Sequence, residues 1–394
     1  MKKKTVRAGL VGAGFAANFH YEALRRVHAV DVDVAGVYAA DAAMAKAFAK
    51  QRGIKMYKSL ESLIDDVDVV HVLVPPVAHE EIAVAALERD RFAIVEKPLT
   101  GYFGDGSKAF DGRTFPREKM LEGALASVER LVRAQEKSKA CLCYAENWVY
   151  APAIQKEREI ITKTGAQILW IHGEEAHSGS HAATYGFWKF SGGGSLIGKG
   201  CHPLTAALYL KRVEGLARTP KKPIRPKSVT GRMHALTALD AFRDKGHLRC
   251  DYHDIEDFSM THVTFDDGTI ATIFASEIIM GGIHNWVEVA ANNHRTVCNI
   301  NPNTAMASYN PVDAYFNDIY VVEKTGTKQG WSNPSPDEDH FTGYPHEMEA
   351  FYRTAALGEP PESNLSLAAD TIATIYSAYL SDERGGAAVG VARL

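Results

Sequence analysis

The stretch Val6-Arg7-Ala8-Gly9-Leu10-Val11-Gly12-Ala13-Gly14-Phe15-Ala16-Ala17 decides how the chain is read. A short apolar run breaks into G-x-G-x-x-A, and helical spacing follows over 19–27. Gly12 allows a tight turn, Gly14 lets backbone approach a diphosphate, and the small Ala17 lets the helix lie close on the strand. Phe15 and Ala16 lie between the glycines and that helix, whose N-terminus offers free N–H groups and a partial positive charge to phosphate oxygens. Further strands are expected at 32–38, 67–74, 92–95 and 140–144, and helices at 42–52, 61–65, 80–89 and 121–137. Apolar runs alternating with helices imply a parallel sheet covered on both faces. Residues 1–145 are therefore expected to form a doubly wound α/β domain of Rossmann type that binds a dinucleotide.

Two parts depart from that pattern. Residues 101–117 are rich in Gly, Asp and Phe without a period. They read as an inserted surface loop bordering the cofactor cleft. From residue 146 strands dominate, at 168–174, 257–265, 269–276 and 286–291, with Asp266-Asp267-Gly268 as a hairpin turn. Helices are expected at 153–163 and 203–212. Runs of strands imply a second, α+β domain over residues 146–339 with a large, mostly antiparallel sheet. The Pro- and Lys-rich 219–227 reads as an exposed connection. Helices at 345–357 and 367–380 make a C-terminal segment, 340–394, expected to pack back on the first domain.

The 394 residues are 46% hydrophobic and 23% charged, with a net charge of −4. That composition builds an ordinary core and lacks the basic field that nucleic acid or an anionic membrane requires. No segment reaches the roughly 18 uninterrupted apolar residues of a membrane span. The cysteines, Cys141, Cys143, Cys201, Cys250 and Cys298, read as reduced thiols of a cytoplasmic protein.

Three further motifs carry chemistry. The second strand ends Val37-Tyr38-Ala39-Ala40-Asp41. The place usual for a ribose-binding carboxylate holds Ala39, and Asp41 follows as ribose ligand or helix N-cap. No Arg stands beside it to hold a 2′-phosphate, which favours NAD and leaves NADP open. Val95-Glu96-Lys97-Pro98 ends a strand, where parallel sheets place their ligands. A lysine there can steady a developing alkoxide, or relay a proton if burial lowers its pKa; a surface Glu–Lys pair is the plain alternative. Gly192-Gly193-Gly194-Ser195-Leu196-Ile197-Gly198-Lys199-Gly200-Cys201-His202 delivers a histidine to a helix start, as an acid or base near neutral pH or as a cap.

The order of these motifs, with Pro75, Pro76 and His79 after the third long strand, resembles the Gfo/Idh/MocA family over nearly the whole chain. That resemblance implies a Rossmann domain followed by an open-faced sheet domain, NAD(P), sugar-like substrates, and a homodimer or homotetramer joined through the sheet. It places Lys97 and His202 at the catalytic positions. Val74, Pro75, Pro76 and His79 would flank the cofactor, Glu96 would lie near the nicotinamide ribose, and Asn147 and Trp148 would line the cofactor and substrate sides of the site. The expected reaction passes hydride between nicotinamide and a secondary alcohol or ketone of a sugar, polyol or sugar acid. A non-catalytic dinucleotide-binding sensor or regulator is the alternative.

The family's D-x-G-x-H-x-x-D pattern reads Gly198 and Thr205 at its two aspartates here. The carboxylate beside the histidine is thus expected to be missing. Lys199 adds a cation that would lower the His202 pKa or hold an anionic substrate. Residues 174–181 include His177 and His181 at H-x-x-x-H spacing. Gly179 and the flanking serines oppose a helix there, so a polar substrate loop is expected in place of a metal site. His181, Trp188 and Lys199 join the expected substrate contacts, and no metal is expected.

Overall fold

Caps and small residues set the boundaries of the first layer. In the computed structural model, which describes residues 3–180, 182, 184–301, 306–321 and 325–394, β1 (Thr5–Val11) turns at Gly12 into α1 (Phe15–Leu24). Next come β2 (Asp31–Tyr38), α2 (Ala42–Arg52), β3 (Lys55–Met56), α3 (Leu60–Asp65), β4 (Val69–Val72), α4 (His79–Leu87), β5 (Phe92–Glu96), α5 (Arg117–Lys137) and β6 (Leu142–Ala145). The Asp41 and Ser59 side chains cap α2 and α3, and Gly53 stops α2 in the left-handed conformation. All six strands run parallel in the order β3-β2-β1-β4-β5-β6. The order reverses between β1 and β4, so a crevice opens beyond their carboxyl ends. Gly12–Gly14, Val74–Pro76 and Glu96–Lys97 all sit on that edge.

The second layer starts with α6 (Asn147–Tyr150), α7 (Pro152–Thr164) and β7 (Ile168–Ala176), then α8 (Trp188–Ser191) and α9 (Cys201–Arg218). It continues through β8 (Pro226–His234), β9 (Phe258–Phe265), β10 (Ile270–Ser276), β11 (His284–Ala291) and β12 (Arg295–Asn299). A short ribbon, β13 (Ser308–Asn310) with β14 (Gly330–Ser332), leads to α10 (Glu338–Thr342), α11 (Tyr344–Leu357), α12 (Leu365–Glu383) and β15 (Val389–Gly390). The sheet order is β12-β11-β7-β10-β9-β8-β15, antiparallel except for β7 beside β10. Alternation along β7, β10 and β11 buries Ile171, Ile273, Val287 and Val289 on the side of α9. Trp170, His172, Phe274, Met260 and Trp286 occupy the other face, and Trp170 and Met260 are exposed.

The fold differs from expectation at several edges. Helix α1 begins at Phe15, four residues early, because the backbone turns helical directly after Gly14. Strand β8 starts inside the stretch read as an exposed connection, with Pro226 at the first strand position, where a missing N–H is tolerated. The insertion is not a loose loop. Tyr102 and Phe110 each pack on Phe115, at ring centroid distances of 5.4 and 5.3 Å. The Tyr102 carbonyl accepts the Trp188 indole N–H at 2.9 Å. Asp254 accepts the Gly112 N–H at 2.9 Å and the Trp188 N–H at 2.7 Å. The insertion thus faces the second domain's loops.

The C-terminal helices join the two layers. Helix α11 packs on α1, with Phe19 stacked on Tyr344, while α12 lies between α5 on one side and α9 and β8 on the other. Among the described residues no helix is long and apolar enough to cross a membrane. Trp188 is fully buried between the insertion and Tyr379, with Arg117 over its ring. Trp188→Ala should therefore cost about 3–5 kcal/mol of stability, read as a lower midpoint in urea unfolding of the full chain.

Candidate active site

The dinucleotide end is shaped by backbone. Gly12 has φ +116°, and a side chain there would meet the Leu73 carbonyl oxygen at 2.2 Å. Gly14 opens α1 without any side-chain cap, and the space where its Cβ would stand is empty to 4 Å. The helix start at Gly14 is thus open to close approach by another group, as a diphosphate there requires. Ala17 is buried beneath them, Ala16 is half-buried, and Phe15 is exposed beside them. These features fit a bound dinucleotide. Asp41 is committed to its own helix: one carboxylate oxygen accepts the Ala43 and Met44 N–H groups at 2.9 and 3.1 Å. His79 is buried, with its ring nitrogens 2.9 Å from the Pro98 and Val74 carbonyl oxygens. It braces the Val74–Pro76 turn against the Lys97-Pro98 turn and has no nitrogen left for a ligand.

At the end of β5, Glu96 closes a buried chain of hydrogen bonds. One oxygen meets His20 Nε2 at 3.0 Å, His20 Nδ1 meets His71 Nδ1 at 2.9 Å, and His71 Nε2 meets the Tyr352 hydroxyl at 2.9 Å. The other Glu96 oxygen accepts the Lys97 N–H at 3.0 Å. Burial alone would raise the Glu96 pKa, but the His20 hydrogen bond and the Lys97 charge bring it below the usual range. Lys97 Nζ then reaches across the seam between the domains and donates to the Gly198 carbonyl at 2.9 Å. Burial would lower the Lys97 pKa, yet Cys201, Glu175, Glu96 and Glu146 outweigh it and hold the ammonium above its ordinary value. The expected alternative of a proton relay needs a Lys97 pKa lowered by burial. The surrounding acids reverse that shift, and Lys97 is a standing cation.

His202 stands in the first turn of α9, directly after a π-helical segment, Leu196–Gly200. Such segments are frequent at functional sites. Glu256 anchors the glycine-rich approach: its carboxylate accepts the Gly194 and Leu196 N–H groups, both at 3.0 Å, and the Tyr379 hydroxyl at 2.8 Å. His202 is buried, and its Nδ1 is hydrogen-bonded to Glu146, which caps α6. Its Nε2 lies 3.8 Å from Glu175 Oε2. Trp148 is stacked on the imidazole, with ring centroids 5.6 Å apart and planes 16° apart. Burial, with Lys97 and Lys199 nearby and only partly opposed by Glu175 and Glu96, pushes His202 down to about 3. Burial pushes the Glu146 carboxyl up to about 8, against the pull of Lys97.

The expected gap in the family pattern is filled from elsewhere. Gly198 has no room for a carboxylate, because its Cβ would lie 2.3 Å from the Tyr185 hydroxyl. Thr205 faces α12, donating to the Cys201 carbonyl at 2.7 Å and meeting the Thr371 hydroxyl at 2.9 Å. Glu146 and Glu175 supply the acids that positions 198 and 205 lack. Their signal was available: Glu146 ends a buried strand, and strict alternation in β7 puts Glu175 on the buried face with Ile171. Lys199 donates to the Ser180 hydroxyl at 2.8 Å and pairs with Glu277 at 3.5 Å. Glu277 also accepts the Tyr185 hydroxyl at 2.7 Å. The Lys199 charge is thus answered within the chain.

Other expected contacts are redirected. Trp188 is a core residue with no face toward the site. Trp148 holds the imidazole and offers it, not a free sugar platform. The Asn147 amide donates to the Thr342 carbonyl at 2.8 Å, toward α10. His181 lies outside the described residues. In the 174–181 stretch, His177 Nδ1 accepts the Gly179 N–H at 3.0 Å. Cys201, Glu146 and His202 bring ligand-type atoms within 4.8 Å of one another, with the Lys97 ammonium beside them. A surface groove of about 700 Å³ between α4 and α5, lined by Glu80, Glu81, Arg130 and Arg133, is separate from all of these groups.

Residues 6–111 match the oxidoreductase family with an NAD-binding Rossmann fold, Gfo/Idh/MocA. Glucose-6-phosphate 3-dehydrogenase of Bacillus subtilis is 31% identical over 24% of this chain and 26% of its own length. Inositol 2-dehydrogenase 1 of Paenarthrobacter aurescens is 36% identical over 27% of this chain and 32% of its own. The matched stretches thus span about a quarter to a third of these relatives. Solved structures are similar over the full length. GenD2 from gentamicin A biosynthesis, in complex with NAD, has a TM-score of 0.79 at 22% identity, over 100% of this chain and 98% of its own. Myo-inositol 2-dehydrogenase from Lactobacillus plantarum has a TM-score of 0.71 at 15% identity, over 99% and 100%. Residues 6–111 thus match the NAD-binding domain of the Gfo/Idh/MocA oxidoreductase family, and over the whole chain the likeness is one of fold.

Proposed function

We propose that the protein transfers hydride between NAD and a secondary alcohol or ketone of a sugar or polyol. The nicotinamide ring, when bound, supplies the hydride acceptor or donor. The observation that carries the reading is the joining of Lys97 from the first domain and His202 from the second at one seam, beyond the carboxyl edge of β1, β4 and β5. In the oxidation direction the substrate hydroxyl proton passes to His202 Nε2. Lys97, charged throughout, donates to the same oxygen and steadies the charge that builds on it. NAD is favoured over NADP because Asp41 caps α2 and repels a 2′-phosphate.

The Glu146–His202 pair sets when Nε2 is a base. With its proton held by Glu146 in the bond to Nδ1, the ring hydrogen sits on Nε2 and the imidazole can only donate. Once that proton leaves, Nδ1–H donates to the carboxylate and the Nε2 lone pair is free. Copies of the chain are inferred to meet through the uncovered sheet face around Trp170, Phe274 and Met260, as a homodimer or homotetramer. The cysteines are all unpaired thiols, which suits the cytoplasm.

Three outcomes test this reading. The kcat/KM for alcohol oxidation should climb with pH and level off above about 8, while ketone reduction falls over the same range; in Glu146→Gln that rise should vanish from the pH profile. Lys97→Ala should lower kcat about 10²–10³-fold in an NADH-absorbance assay, and a variant turning over at the wild-type rate would refute the oxyanion role. Gly198→Asp, which restores the family's residue, should lose at least about 10-fold in kcat/KM by displacing Tyr185; the added Tyr185→Ala change should recover part of it.

A further inference from the structure

His202 spends Nδ1 on Glu146, so the reading above leaves Nε2 for the substrate. Beside Nε2 stands a second acid that the proposed hydride transfer does not use. Glu175 lies on the inner face of β7, is 7% exposed, and its Oε2 has no hydrogen-bond partner among the described residues. A carboxylate oxygen buried in that state is costly unless a donor comes to it. The cations nearby do not meet it by hydrogen bond: Lys97 donates to the Gly198 carbonyl, and Lys199 to Ser180. The 3.8 Å between Glu175 Oε2 and His202 Nε2 exceeds a hydrogen bond, so the two do not satisfy each other. Two acceptors set side by side in this way match two donors on adjacent carbons. The heteroatoms of a gauche vicinal pair are themselves about one hydrogen-bond length apart. One would face Nε2 and the other Oε2.

We propose that Glu175 is a specificity-determining residue that accepts a hydrogen bond from a hydroxyl or ammonium group on the carbon next to the one oxidised. The inference rests on the proposed reaction at His202. It also removes a rival: an anionic group on that neighbouring carbon is repelled by Glu175, and Lys199 is already answered by Glu277.

The test uses D-glucose and myo-inositol, their mono-deoxy analogues and their mono-amino-deoxy analogues, with full-length wild type, Glu175→Gln and Glu175→Ala. Wild type should prefer the intact diol over the analogue lacking the neighbouring hydroxyl by about 10²-fold or more in kcat/KM. Glu175→Ala should shrink that preference to within about threefold. Glu175→Gln keeps an acceptor and loses the charge, so it should retain more activity on the diol than on the amine if an ammonium is the natural donor, and lose both equally if a hydroxyl is. A wild type indifferent to the missing hydroxyl, or a Glu175→Ala variant that keeps the full preference, overturns the proposal. Calorimetric binding of the same compounds to the protein–NADH complex separates the two readings. If nothing is oxidised but the preference in binding disappears with Glu175→Ala, the hydride reading fails and the subsite stands. Absence of preference in both turnover and binding overturns the subsite.

Discussion

The hydrogen bond from the Lys97 ammonium to the Gly198 carbonyl is the tie on which the rest of the site depends. It crosses from the carboxyl edge of the parallel sheet to the π-helical approach to α9. Around it lie Glu96, Glu146 and Glu175, buried acids that would repel one another without a cation among them. Removing one partner of such a buried cluster costs far more than the net worth of any single pair. The ammonium therefore does two things at once: it holds the domains in register, and it makes a cluster of carboxylates tolerable next to an imidazole. The clamp is reinforced from outside by α12 and by the aromatic insertion on Trp188. Lys97 and the Glu146–His202 pair thus come together only when both domains are docked.

The relocation of the carboxylate has a steric origin. Tyr185 fills the volume that a side chain at position 198 would need, and its hydroxyl is fixed by Glu277. Arg249 in turn binds the Ala182 carbonyl and, through Nη2, the Tyr185 carbonyl, holding that loop in place. With the loop packed onto the helix start, the acid partner of His202 has to come from the opposite side. Glu146, at the end of the last parallel strand, is placed there by β6 and α6. The imidazole is then gripped on its edge by Glu146 and on its face by Trp148, which fixes where Nε2 points.

The first domain was legible because its signals are local. Strand length, glycine turns and helix caps at Asp41 and Gly53 act within a few residues of where they are written. The C-terminal edge of the sheet could be placed from the same signals, and with it Lys97. The second domain was readable as strands but not as a site. Glu146 and His202 meet across 56 positions in sequence, and no spacing announces such a pair. Trp188 was misplaced because an aromatic residue in a polar, glycine-rich stretch looks the same whether it faces a sugar or a core. Tyr102, Phe103, Phe110 and Phe115 held the missing clue, since four aromatic rings in one loop need something to pack on. Strand β8 was hidden by its own first residue, a proline that also marks connections.

The chain of buried hydrogen bonds behind Glu96 shows how far the edge of the sheet is fixed by groups remote from it. Burial keeps His71 neutral, with the neighbouring His20 adding to the effect. A neutral His71 has one N–H to give. If the Tyr352 hydroxyl donates to His71 Nε2, then His71 Nδ1–H donates to His20 Nδ1, and His20 Nε2–H donates to Glu96. Every link is satisfied in that single direction, and it ends on a carboxylate held ionised below its usual range. The reverse direction would need a proton on the Glu96 oxygen that faces His20, against the lowered pKa of that carboxyl. The polarity of the chain therefore selects the charged form of Glu96, and that charge, set one residue before Lys97, is part of what keeps the ammonium protonated at the seam.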